Sequence, residues 1–312
     1  MNAAVEYLAG QRERLGLDRL GLGETPPCVF ITPRFRESRH VVILLLSPES
    51  GRPVLVAKLP RLTACDRALA REAYNLRALE NVQRELDEGS VPALVAFEED
   101  GHYPLLLETA LCGEPISPAA LRRNRSGAVT AASRWLEQLG AATRSQADGT
   151  WYERLVTAPL HALAARAADG QVRELVGETL ALAETLRAAR MQLVFEHGDF
   201  GHPNLLLRAG GQLSVLDWER GDPAGLPAQD LFFFLAHAAL VGVRHRRERT
   251  LHAAFFGSQP WAWEMAERYA RCLAFDTELL GPLLAVCCAR ALERVGTERM
   301  MPLWRWLLEG AA

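Results

Sequence analysis

The feature that most restricts what this 312-residue chain can fold into is a change of periodicity partway along it. Up to about residue 107 the apolar residues form short strand-like runs bounded by turn residues, whereas from Pro118 onward most segments repeat at helical spacing. HVVILLL and VLVAK flank the turn signal SPESGRP and read as a hairpin. VPALVAFEED and HYPLLLETAL read as a second strand pair around Asp100 and Gly101, and DRALAREAYNLRALENV, between the pairs, reads as a helix. AASRWLEQLGAATR and RELVGETLALAETLRAAR typify the helical remainder. The expected class is α+β and bilobal. An N-terminal lobe over 1–107 would hold an N-terminal helix, a small antiparallel sheet and one further helix. A hinge would span 108–117 around ETALCGEPISP, and a larger, mostly helical C-terminal lobe would span 118–312. The length exceeds one ordinary core, which agrees with two lobes.

Composition excludes several classes. Hydrophobic residues at 49% and charged residues at 23% describe a globular chain, and a net charge of −3 gives no reason to expect nucleic acid as a partner. The basic run Arg244 to Arg249 reads as a solvated helix or loop face, not a polyanion site. No apolar stretch has the length of a membrane span, and MNAAVEYLAGQRERLG reads as an amphipathic helix instead of a signal peptide, so a cytoplasmic, bacterial protein without membrane attachment is expected. The six cysteines lack C-x-x-C spacing and read as core-filling thiols.

Of 35 basic residues, 34 are arginine and one, Lys58, is lysine. A compact ammonium differs from a forked guanidinium in shape and hydration, so a lone lysine in an arginine-rich chain is either a neutral survivor or a group with a task arginine cannot perform. Lys58 ends a strand-like run. In the helix that follows, Glu72 lies on the stripe of Leu69, Leu76 and Leu79. A carboxylate there is either an edge residue reaching solvent or a buried group that needs a cation, for which Lys58 is the nearest candidate.

Residues 195–207, FEHGDFGHPNLLL, interrupt an apolar run with His, Asp, His and Asn, and NLLLRAGGQLSVLDWE then reads as strand, Gly-Gly turn and strand ending at Asp217. This order supplies one carboxylate, Asp199, to orient a hydroxyl nucleophile. An amide oxygen, on Asn204, and a second carboxylate, on Asp217, at the two ends of a hairpin would hold Mg²⁺. Phosphoryl transfer needs that set, because positioning and charge neutralisation supply most of its catalysis.

The spacing H-x-D-x-x-x-x-N at His197, Asp199 and Asn204, followed by D-W-E at Asp217 and preceded by Lys58 and Glu72, resembles the aminoglycoside phosphotransferase and choline kinase group. The resemblance covers about residues 28–235 and implies a protein-kinase-like fold whose nucleotide lies between the lobes. It implies that Asp199 is the catalytic base or hydroxyl-orienting group and that Asn204 and Asp217 are the metal ligands. Lys58 would contact the nucleotide phosphates, Glu72 would hold Lys58, and His197 and Asp230 would support the loop. Asp230 also stands where a helix N-cap would stand. His202 would face the acceptor or solvent. TPRFRESRHVV, where a phosphate-covering loop belongs, has no glycine, so Ser38 or the arginines Arg34, Arg36 and Arg39 would serve in its place.

The implied activity is Mg²⁺-dependent transfer of the γ-phosphate of ATP or GTP to a hydroxyl of a small acceptor: a sugar, amino alcohol, aminoglycoside-like compound or natural-product intermediate. Residues 241–312 carry ten arginines against eight Asp and Glu, a balance of +2, which is not the acidic lining a polycationic aminoglycoside would call for. Trp261, Trp263, Trp304 and Trp306 read as packing residues or as flat faces for a sugar ring. Two other readings stay open: a kinase-fold nucleotide-binding or regulatory module without turnover, and nucleotidyl transfer on the same fold.

Overall fold

The computed structural model describes residues 10–15, 17–22, 26–31, 40–61, 67–99, 104–296 and 298–311. Ser38, Arg34, Arg36, Arg39, Cys65, the Asp100–Gly101 turn and the first nine residues of the expected N-terminal helix lie outside them. The chain divides into two compact units, Met1–Glu114 with Ser214–Gly221, and Pro115–Leu213 with Asp222–Ala312. The octapeptide 214–221, which the sequence reading places in the C-terminal lobe, therefore belongs to the first unit. Long-range hydrogen bonds draw it there: Ser214 Oγ donates to Gly89 O at 2.9 Å, and Val215 N donates to Ser90 O at 2.8 Å.

In the first unit, β1 (Cys28–Ile31), β2 (His40–Leu46), β3 (Pro53–Pro60), β4 (Leu94–Glu98) and β5 (Leu105–Thr109) form one antiparallel sheet in the order β1-β2-β3-β5-β4. Alternation gives the sheet two faces. On one, Ile43, Leu45, Leu55, Ala57, Leu105 and Leu107 pack with Leu17 and Leu22. On the other, Leu106 packs with Leu69 and Ala73 of α1 (Arg67–Glu80). Lys58, opposite Leu106, follows Ala57 by one residue and so faces α1, not the first core.

The second unit is mostly helical. Its main helices are α2 (Arg125–Thr143), α3 (Gly170–Ala188), α4 (Gln229–Leu240), α5 (Arg247–Phe256), α6 (Trp261–Cys272), α7 (Leu280–Val295) and α8 (Met301–Ala311). QDLFFFLAHAAL, the sequence of α4, is apolar on nearly every side and is buried accordingly, with α7, α5 and α2 packed around it. The strands β6 (Gln192–Glu196) and β9 (Asp222–Gly225) pair antiparallel. β7 (Leu205–Leu207) and β8 (Leu213–Val215) flank the Gly-Gly turn, whose glycines both take positive φ, +81° and +79°. Among the described cysteines, Cys287 and Cys288 fill core as expected, but Cys112 and Cys272 are exposed. Trp304 is fully buried and donates its indole N–H to Thr179 Oγ1 at 2.7 Å, a packing role.

Candidate active site

In the first unit, Lys58 is 7% exposed, and its Nζ lies 2.6 Å from Glu72 Oε1 and 3.1 Å from Glu108 Oε1. Glu72, completely buried on the leucine stripe of α1, is thus the cation's partner and not an edge residue. Burial alone would lower the Lys58 pKa, but the charges of Glu108, Glu72 and Asp217 and the Glu72 hydrogen bond hold it well above its ordinary value. Glu108, two residues beyond Leu106 on the same face of β5, is a second carboxylate that the sequence reading missed. LLLET reads as an ordinary strand end, and only the alternation in register with Leu106 places Glu108 against α1. Burial and the charges of Glu72 and Asp217 outweigh the pull of Lys58 and push Glu108 up to about 7.

Asp217 takes φ +66°, a left-handed conformation that costs a non-glycine residue about 1 kcal/mol or more. The next residue fixes it there. Trp218 N donates to Glu72 Oε1 at 3.1 Å, while Asn75 Nδ2 donates to Trp218 O at 2.7 Å and to Gly221 O at 3.1 Å. One helix therefore holds both the lysine and the turn bearing Asp217. Asn75, also missed from sequence, completes that grip one turn after Glu72. Glu219, 3.5 Å from His40 Nδ1, is pushed up to about 7 by burial and by the nearby charges of Asp217 and Glu72.

In the second unit, the loop between β6 and β7 carries the other candidates. Both oxygens of Asp230 accept loop amides, from His197 N at 2.6 Å and Gly198 N at 3.0 Å. Its carboxylate therefore spans the loop instead of capping its own helix, whose N-cap residue is Ala228. Burial, then the charge of Glu196, raises the Asp230 pKa to about 6. His197 is completely buried and accepts Asp199 N–H on Nδ1 at 3.2 Å, which puts its own ring proton on Nε2. Phe200 anchors the loop tip, stacked on Trp135 with ring centroids 5.5 Å apart. Asn204 donates its Nδ2 to Asp199 O at 3.0 Å, so its amide oxygen is oriented away from the loop backbone. Asp199 itself is half-buried.

Beneath the loop lies a buried ion network that sequence could not suggest. Arg290, completely buried, donates to Glu196 Oε2 at 3.0 Å, Glu196 Oε1 at 3.1 Å and Gln229 Oε1 at 2.9 Å, and Arg294 also pairs with Glu196. The two guanidiniums overcome burial and hold Glu196 below the usual carboxylate range. Gly225 meets Glu196 so closely that any Cβ would collide with it.

Among the described residues, no group of three or more His, Cys, Asp or Glu is arranged to hold a metal ion by itself. Each unit by itself offers an oxygen donor of a type that Mg²⁺ takes, since the ion keeps several waters and needs one or two protein oxygens alongside phosphate. Asp217 offers a carboxylate, Asn204 an amide oxygen, and the carboxylates near Lys58 exceed the charge it can neutralise.

The model of the phosphotransferase enzyme family, APH, matches residues 40–269. The chain belongs to this family. As a member of the phosphotransferase family it is a kinase acting on hydroxyl acceptors, with a protein-kinase-like fold. Its solved structural relatives include ADP-bound aminoglycoside phosphotransferase APH(2'')-Ib, with TM-score 0.53 and 16% identity over 99% of this chain and 97% of that one. The GDP complex of aminoglycoside 2'-phosphotransferase-IIIa gives TM-score 0.52 and 11% identity over 100% of both chains. Ethanolamine kinase from Plasmodium vivax gives 0.50 and 10% over 100% of this chain and 90% of that one. At these identities the likeness is one of fold. No curated protein sequence matches this phosphotransferase significantly.

Proposed function

We propose that the protein transfers the γ-phosphate of ATP or GTP to a hydroxyl of a small acceptor in an Mg²⁺-dependent reaction. The observation that carries this reading is the double role of Glu72, which accepts from Lys58 Nζ and from Trp218 N and so ties the one lysine to the Asp217 turn. Lys58 would bind the nucleotide phosphates, and Asp217 and Asn204 would hold the metal. When bound, Mg²⁺ supplies neutralisation of the phosphate charge. Ser38, outside the described residues, remains a candidate phosphate contact. The ADP- and GDP-bound relatives support a nucleoside triphosphate donor.

Asp199 would accept the proton of the acceptor hydroxyl. The acceptor oxygen forms its bond to the γ-phosphorus as the bond from phosphorus to the nucleoside diphosphate breaks, and Asp199 then releases its proton to solvent. His197 and Asp230 act on the loop backbone, fixing Asp199 through the amides of residues 197–199.

Thermal unfolding with ATP and with GTP, each with and without Mg²⁺, tests the donor site without knowledge of the acceptor. The expected outcome is a metal-dependent rise in Tm with at least one nucleotide. Asp199→Asn should keep that rise while lowering turnover by about a hundredfold to ten-thousandfold, the range that general-base catalysis contributes. Near-normal turnover by that variant would refute the assignment. A nucleotide-dependent rise with no turnover of any hydroxylated compound would favour a binding module instead.

A further inference from the structure

A cavity of about 490 Å³ opens in the second unit beside the same loop, with His202, from the turn between Asp199 and Asn204, forming part of its wall. Its lining is basic: Arg122, Arg244, Arg247 and Arg299 surround His202 and His237, and no carboxylate is among the described residues that line it. Two acidic groups, Glu248 and Glu298, line an adjoining hollow that shares Arg247 and Arg299, leaving four guanidiniums against two carboxylates across the two. Arg122, Arg244 and Arg247 form no ion pair among the described residues. Cations left without counter-ions around a concave wall form a site for an anion that the protein does not itself supply.

Local packing preserves this charge. Gly242 takes φ +80°, and a Cβ there would collide with the Arg122 side chain, so glycine lets that arginine lie directly against the backbone at the cavity wall. The His202 and His237 rings stack with centroids 4.6 Å apart, and Arg299 Nη1 lies 2.9 Å from His237 Nδ1. Burial first, and then His202, Arg299 and Arg247, push His237 down to about 4, so both histidines stay neutral while the arginines carry the charge. The sequence reading took Arg244–Arg249 as a solvated face. All six residues are exposed, in agreement with that reading, and Arg244 and Arg247 among them also line the cavity.

We propose that this cavity is the acceptor subsite and that it takes a hydroxylated molecule bearing a phosphate or carboxylate group, not a polycationic aminoglycoside. This rests on the reading of Asp199 as the group that receives the hydroxyl proton, because the cavity wall and that carboxylate share one loop. Guanidinium forks pair with carboxylate and phosphate oxygens two at a time, which fixes the orientation of the anion and with it the direction of the hydroxyl. A polyamine entering the same wall would meet four like charges.

The test compares thermal unfolding of the full chain, at constant ionic strength near 0.15 M, with glucose 6-phosphate, gluconate, glucose and kanamycin, and separately with Mg-ATP and Mg-GTP. The expected result is a Tm rise of about 2 °C from an anionic probe at ten times its Kd, and none from glucose or kanamycin at the same concentration. Glucose 6-phosphate against gluconate decides between phosphate and carboxylate. The double variant Arg122→Ala, Arg247→Ala should weaken the anionic probe at least tenfold and keep the Mg-nucleotide rise. Stabilisation by kanamycin but not by the anions, or an anion response unchanged in the variant, overturns the proposal. A missing nucleotide response with an arginine-dependent anion response overturns the phosphotransfer assignment of this site and leaves the anion site standing. Absence of both responses overturns both.

Discussion

Replacing Glu108 by glutamine tests how the first unit tolerates several carboxylates around one lysine. In the unfolded chain this carboxyl ionises near its ordinary value of 4.5, but in the fold it does so only at about 7. Between those two pH values the unfolded state has lost the proton and the folded state has kept it, so stability falls as pH rises through the window and levels off above it. The displacement corresponds to about 3 kcal/mol. The amide introduced by Glu108→Gln cannot ionise and escapes that loss, although the substitution removes a 3.1 Å contact with Lys58. Lys58 keeps Glu72 as its partner at 2.6 Å. Urea unfolding of both proteins at pH 5 and pH 8.5 isolates the effect, because all other titrations are common to the pair and cancel. The stability of Glu108→Gln relative to the parent should rise by roughly 2–3 kcal/mol between the two pH values. An equal difference at both, or a variant relatively weaker at pH 8.5, would refute the reasoning.

Lys58→Arg asks whether the lone lysine is there by necessity. A larger fork at a buried position with two carboxylates at ammonium distance should cost about 1–3 kcal/mol in urea unfolding and lower kcat/KM at least tenfold; unimpaired activity would make the lysine an accident of composition. Arg290→Met strips Glu196 of its bidentate partner beneath the loop and leaves only Arg294, so a loss of about 3 kcal/mol is expected by the same measurement. Ala274 takes φ +56° just past α6, with Ala274 N bonded to Arg271 O and Phe275 N to Ala270 O, the arrangement that favours glycine. Ala274→Gly should therefore raise stability by about 0.5–1 kcal/mol, seen as a higher urea midpoint at unchanged m.

Much of the candidate site was legible because its signals are local. The alternation of β2 and β3, the leucine stripe of α1 and the interruption of an apolar run at 197–204 each occupy fewer than twenty residues, and each carries its own chemical meaning. Lys58 stood out by composition alone. Of the two roles open to Asp230, helix N-cap and support of the loop, the carboxylate takes the second, bonding two loop amides more than thirty residues earlier; the resemblance implied that choice, and no local pattern around Asp230 does. Glu108 and Asn75 escaped notice for the same reason. Each looks ordinary in its own segment, and each matters only through a partner from another element.

By itself, then, the sequence determined the kinds of elements, their order and the residue types available for phosphoryl transfer, because hydrophobic periodicity and turn chemistry act over short stretches of chain. Tertiary packing alone returns residues 214–221 to the first unit, sets Glu196 between Arg290 and Arg294, and brings four arginines from three separate segments to one cavity with no carboxylate among its described lining residues. Those outcomes depend on which charges are buried together across separations of tens to hundreds of residues. Burial and Coulomb interaction follow distance in space, to which position along the chain is a poor guide.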